Sequence, residues 1–242
     1  MKQSLLFWII FLTTGVLIYT DPLPDWFISL RDAVYEQKLS AEEIQNLYRE
    51  SKKQAEAALS GPSLYTMLSR CEYMMGRAYQ YEERKTEAAA RYEDGIAWAE
   101  KSLEEAPSSE GWQMLAENIS QACAVKPASY AMANGLKVER YAKNALELNA
   151  LNGAARYMLA ARYVYAPPPF NNFKRGIQMM EDILAQNRGG LERDDLFNVY
   201  SAIGYAYVRQ KKYGEAKPWL EKSLAVFPTN KFAGDMLKKG GA

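Results

Sequence analysis

Hydrophobic residues recur with helical spacing through most of the chain. The clearest pattern lies in residues 197–228, where one helix face carries Tyr200, Ile203, Gly204 and Tyr207. A second helix follows with Ala216 and Leu220 on its inner face, and Pro228, which lacks an N–H, is expected to end it. The small residues Gly204 and Ala216 predict that two antiparallel helices approach closely here.

Three earlier segments repeat this hairpin pattern with irregularities. In the first of them, the second helix is expected from about Thr86 to Glu105, roughly two turns longer than usual. In the next, an excess of about ten residues around Pro127 separates the two helices, and Leu148 is expected to face inward with Ala142.

Residues 24–60 predict one more helical hairpin before these segments. Ser40 and Glu43 have the spacing of a capping box at the start of its second helix.

The spacing of large, small and proline positions in residues 197–228 resembles the tetratricopeptide repeat (TPR). The resemblance implies an all-α, TPR-like solenoid of antiparallel helix hairpins, with about four repeats and an N-terminal hairpin. The predicted organisation is a signal peptide or membrane anchor, a hairpin, a repeat array and a flexible tail, at residues 1–20, 24–60, 64–237 and 238–242.

A proline-rich turn from about residue 166 to 172 interrupts the third repeat. Pro167, Pro168 and Pro169 stop the first helix because proline removes backbone donors. Two interpretations remain open. The turn is a stiff spacer pinned by Phe170, or it is a rigid lip where Phe170 or Phe173 touches a ligand.

The first twenty residues carry Lys2 and then no charge from Gln3 to Thr20. An eighteen-residue helix would span about 27 Å, close to the hydrocarbon core of a bilayer. The segment predicts a cleaved secretory signal or an uncleaved transmembrane anchor. Either one predicts an exported protein of the periplasm or cell envelope, in the second case tethered to the inner membrane by residues 3–20.

The amino-acid composition excludes several kinds of binding and catalytic site. The chain has 30 basic and 29 acidic residues and no histidine, so no global charge favours nucleic acid and every histidine-dependent catalytic triad is excluded. Cys71 and Cys123 are the only cysteines, and they predict two separate buried thiols or one disulfide. We find no catalytic motif and expect no enzyme activity, cofactor or metal.

The TPR resemblance implies that the first helix of each repeat lines a concave groove. Carried over by register, the predicted partner-binding residues are Arg70, Tyr73, Arg77, Gln113, Met158, Arg162, Tyr165, Asn198 and Tyr205. Their aromatic and cationic character suits an acidic peptide or a carboxylate.

The sequence therefore predicts a non-enzymatic scaffold that binds a peptide or protein in the groove. The alternative is a small-ligand-binding accessory component of a solute-uptake system. The degree of enclosure distinguishes these two functions. An open groove favours a peptide, and a closed cavity near Tyr165, Phe170 and Tyr205 favours a small ligand.

Overall fold

A computed structural model describes residues 23–186 and 190–240 of the 242-residue chain. The predicted signal or anchor at residues 1–20 lies outside the described residues. The described part contains eleven α-helices: α1 Asp25–Glu36, α2 Ala41–Ala58, α3 Gly61–Tyr81, α4 Lys85–Glu105, α5 Ser109–Val125, α6 Ala128–Leu148, α7 Gly153–Tyr165, α8 Phe173–Gln186, α9 Arg193–Arg209, α10 Tyr213–Val226 and α11 Lys231–Gly240. None of the helices described here is both long and apolar enough to cross a membrane.

Neighbouring helices pair as antiparallel hairpins. In α3 and α4 the hydroxyls of Thr66 and Ser102 lie 2.9 Å apart, and the Ser69 hydroxyl donates to the Gly95 carbonyl at 2.7 Å. Contacts therefore advance along α3 while they move back along α4. The predicted all-α array of antiparallel helix hairpins is confirmed.

Small residues set the closest helix contacts, as the pattern predicts. A Cβ atom on Gly204 would lie 2.6 Å from a Leu220 methyl, and one on Gly76 would lie 2.5 Å from the Tyr92 ring. Real side chains do not approach this closely, so both positions require glycine, which has no side chain.

The structure tests several predictions about single helices. The capping box is confirmed, since the Ser40 side chain accepts from the Glu43 N–H while the Glu43 carboxylate accepts from the Ser40 N–H. Helix α4 has the predicted length. The expected inward position of Leu148 is wrong, because its side chain is 55% exposed. The structure absorbs the extra residues of that repeat into helices, with α6 starting directly after Pro127.

The proline turn connects α7 and α8. Its last residue, Asn172, donates its N–H to the Tyr163 carbonyl at 2.8 Å and accepts from the Arg175 N–H at 3.0 Å, so it caps α8. Phe170 does not fold back as the expected pin, because it is 74% exposed.

The most consequential packing joins the two ends of the array. The ring of Tyr35 in α1 stacks on Phe227 at 5.0 Å and meets Phe197 of α9 edge-on at 5.5 Å. The Asn230 amide donates to the Tyr35 carbonyl at 2.8 Å. We call these contacts of α1 with residues 193–233 the closing interface. It brings the N-terminal hairpin and the last unit into one hydrophobic core.

Ion pairs extend the closing interface. Arg31 is 1% exposed and lies 2.9 Å from Asp32 and 3.8 Å from Asp194. Arg193 also pairs with Asp32, and it donates to the Val226 carbonyl at 2.6 Å.

The C-terminal helix covers residues assigned to the tail. Because α11 ends at Gly240, residues 238–240 are helical, and the last two residues lie outside the described part.

Candidate functional site

A cavity of about 910 Å³ lies inside the array. Its wall comes mainly from the first helices of the hairpins, α3, α5, α7 and α9, with further residues from α6 and α11. The closing interface therefore changes the surface that the sequence predicted as a concave groove into the wall of a cavity.

Six of the nine predicted groove residues line this cavity, which supports the register taken for the first helices. They are Tyr73, Arg77, Met158, Arg162, Tyr165 and Asn198.

The other three do not line it. Arg70 is buried and binds Glu192 at 2.8 Å, and the Gln113 amide oxygen accepts from Asn152 at 3.0 Å. Both are engaged in contacts between helices, so no side-chain group of theirs is placed in the cavity.

Tyr205 lies behind the lining. Its ring centroid is 5.1 Å from that of Tyr165 and 6.1 Å from that of Phe232, and both of these rings line the cavity. Tyr205 therefore supports the position of two lining rings.

The two predicted lip residues do not line the cavity either. Phe170 points to solvent, and Phe173 packs against the core of the last units. From the proline turn, Ala166 and Pro167 reach the cavity wall. The turn thus borders the cavity through Ala166 and Pro167 and not through Phe170 or Phe173.

Arg77 provides a positive charge within an aromatic environment. Its guanidinium donates to the Tyr73 hydroxyl at 3.1 Å and to the Tyr81 hydroxyl, and its Cζ atom lies 5.3 Å from the Tyr35 ring centroid. Burial raises the pKa of Tyr73 above its usual value although Arg77 opposes the shift, so this phenol stays neutral and does not compensate the guanidinium.

Glu117 is the carboxyl group that lines the cavity. Burial raises its pKa to about 8, against the opposing charge of Arg70 and with the help of Asp194 and Glu192. The carboxyl is therefore mainly protonated at pH 7, and the protonated form can donate a hydrogen bond.

Arg162 and Cys123 complete the chemically distinctive wall positions. Arg162 forms an ion pair with Glu139, and the negative charge of Glu139 offsets the positive charge of Arg162. Cys123 is half-buried and Cys71 is buried, and both are free thiols. Within the described part of the chain, no group of three or more histidine, cysteine, aspartate or glutamate residues is arranged to hold a metal ion.

Sequence reasoning missed the contribution of the C-terminal helix. Asn230, Lys231 and Phe232 line the cavity, and Gln37 joins them from the end of α1. The apolar positions of residues 231–237 have helical spacing, which was the available signal for this helix. Its position over the cavity depends on the closing interface. That interface joins residues far apart in the sequence, so no local pattern predicts it.

No family model matches the sequence, and no curated protein matches it. Among solved structures, the chain is similar to YrrB, described as a TPR protein with an unusual peptide-binding site. The identity is 16%, the match covers 88% of this chain and 97% of YrrB, and the TM-score is 0.38. A similarity this low transfers no function to this chain.

Proposed function

We propose that this protein is a non-catalytic binding protein and that the cavity is its binding site. The observation that carries the proposal is a half-open cavity along the inner surface of the first helices, with Gln37 and Asn230 beside the closing interface in its wall. The cavity volume of about 910 Å³ falls in the usual range for ligand sites, roughly 300–1,000 Å³.

The ligand of this cavity is compact. A segment running along an open groove would need the two ends of the array to stay apart, and the stacking of Tyr35 on Phe227 joins them. A small molecule, or the end of a chain that enters the cavity, meets no such obstacle. This geometry favours the ligand-binding alternative over an extended peptide.

A protein-interaction scaffold is a second candidate with a separate basis on the outer surface. Met132 and Leu136 are 79% and 83% exposed and lie four residues apart on α6, hence on the same face. Exposed apolar side chains that adjoin each other suit contact with a partner protein.

An exported location belongs to this proposal as well. It is supported by the uncharged stretch from Gln3 to Thr20, which fits a signal peptide or an anchor that enters the membrane at least transiently.

Binding of a neutral fluorescent apolar probe, N-phenyl-1-naphthylamine, tests the cavity. Ala124 lines it, so Ala124→Trp is expected to fill part of its volume and to weaken probe affinity at least about tenfold. Ala57, an exposed residue of α2, offers a matched control, and Ala57→Trp should bind like the wild type. With thermal unfolding unchanged in both variants, equal probe affinity in both would contradict the cavity as binding site.

A further inference from the structure

Arg77 has donors left over after its contacts within the protein. A guanidinium carries five N–H groups, and Arg77 donates one from each Nη atom, to the hydroxyls of Tyr73 and Tyr81. No carboxylate forms an ion pair with Arg77 in residues 23–186 and 190–240. A cation that faces a cavity without a counter-ion favours an anionic ligand.

The hydroxyls around Arg77 add further donors. Tyr73 and Tyr81 accept from Arg77 through their oxygen atoms, so each phenol proton remains free for another acceptor. The Gln80 oxygen already accepts from the Tyr92 hydroxyl at 2.5 Å, which leaves the Gln80 NH₂ group for the cavity. This part of the wall therefore offers several donors to a ligand.

The other charged groups of the wall do not reverse this sign. Arg162 is paired with Glu139, Lys231 is a further cation, and Glu117 is mainly protonated at pH 7. Burial raises the pKa of the wall's thiol and of three of its phenols, so these groups are neutral at that pH: Tyr73, Cys123, Tyr157 and Tyr165. The cavity is therefore positive near neutral pH.

Most of the remaining wall is apolar or aromatic. It includes Val138, Met158, Phe197 and Phe232, and the rings of Tyr157 and Tyr165. A ligand that fills this volume needs an apolar body, because a small hydrophilic anion would leave these side chains without contacts.

We propose that the cavity binds a monocarboxylate with an apolar, ring-sized body, and that Arg77, Tyr73 and Tyr81 hold its carboxylate. The inference rests on the proposed function and specifies its ligand. A single charge suits the single unpaired guanidinium at this position, whereas a phosphate dianion would bring a charge that the neutral phenols do not balance. The carboxylate has two sources, a free organic acid or the C-terminus of a peptide.

Displacement of the neutral probe from the full chain at pH 7 tests the proposal with two molecules of similar shape. One is 2-naphthylacetic acid and the other is 2-(2-naphthyl)ethanol, which lacks the charge. We expect the acid to bind at least about tenfold more tightly than the alcohol, because a charge-assisted hydrogen bond exceeds a neutral one. Equal affinities would overturn the anionic ligand and leave the proposed binding function in place.

A matched pair of variants locates the preference. Arg77→Met is expected to bring the acid-to-alcohol affinity ratio close to one. Arg175, an exposed arginine over the Tyr163 ring and away from the cavity wall, supplies the control, and Arg175→Met should keep the ratio. An unchanged ratio in folded Arg77→Met would overturn the role of Arg77. Should that variant not fold, the comparison in the wild type decides, together with Arg77→Lys, which must retain a preference for the acid.

The source of the carboxylate is separated by a second pair of probes. A hexapeptide that ends in phenylalanine is compared as the free acid and as the C-terminal amide. Displacement by naphthylacetic acid but by neither peptide identifies free organic acids, and displacement by the acid-form peptide alone identifies chain ends. Displacement of the neutral probe by none of these carboxylates would overturn the inference, whereas failure of the neutral probe itself to bind would contradict the proposed function.

Discussion

Several residues that line the cavity are partly exposed and yet surrounded by protein on most sides. Tyr165 is 44% exposed, yet burial raises its pKa well above the ordinary value because protein surrounds it. Burial likewise raises the pKa of Glu117, whereas for Arg77 burial lowers the pKa and the surrounding phenols raise it. The sequence marked Arg77 and Tyr165 as groove residues through their register, but it gave no indication of how far they would be desolvated.

The raised pKa of Glu117 predicts a pH dependence of stability. Between about pH 4.5 and pH 8 the unfolded chain ionises this carboxyl while the folded chain keeps it protonated, so stability falls as pH rises. The substitution Glu117→Gln removes that loss, because an amide does not ionise. The variant should therefore gain stability on the wild type across this window, by at most about 1.4 kcal/mol per pH unit.

Urea unfolding at several pH values measures the difference. Asp194, whose pKa burial raises to about 6, acts in the same direction in both proteins, and because its charge also helps to raise the pKa of Glu117, the difference reports Glu117 together with this coupling. A stability difference that does not change between pH 5 and pH 8 would contradict a protonated Glu117 in the folded state.

At the scale of helices, local patterns predicted the structure where neighbours in sequence are also neighbours in space. The capping box of Ser40 and the contact of Gly204 with Leu220 are of this kind. The α5–α6 hairpin was misjudged because Pro127 suggested a break, although proline is well tolerated at a helix start, where it needs no N–H partner. Leu148 failed for a related reason, since it lies at the exposed end of α6.

Two glycines in the last hairpin give a matched test of helix packing. Gly204→Ala would place a Cβ atom 2.6 Å from Leu220, whereas a Cβ atom on Gly214 would meet nothing within 4 Å. We expect Gly204→Ala to lower the free energy of unfolding by about 1–3 kcal/mol through overpacking. Gly214→Ala should leave it unchanged or raise it by up to about 1 kcal/mol through helix propensity. Urea denaturation checks both, and equal effects would contradict the close contact of α9 with α10.

For the whole molecule, the decisive feature is the closing interface, and it could not be predicted from sequence. The sequence pattern predicted the N-terminal hairpin, but such a pattern does not say which distant surface covers it. Tyr35 and Phe197 are separated by 162 positions, and Tyr35 and Asn230 by 195. Six of the nine predicted groove residues lie around one cavity, whereas the contact between the two ends of the array was not predicted.

The closing interface predicts that the two ends of the array open together. Asn230 donates to the Tyr35 carbonyl at 2.8 Å and accepts from the Ala233 N–H at 3.2 Å, so Asn230→Ala weakens α1 and α11 at one site. Hydrogen exchange should become faster in both helices, because they share one core and open as one unit. Asn46→Ala, at an exposed position of α2, is the control, and it should leave exchange in α11 unchanged. Faster exchange confined to α11 would mean that α1 is held independently, and the cavity would then not depend on contact between the two ends.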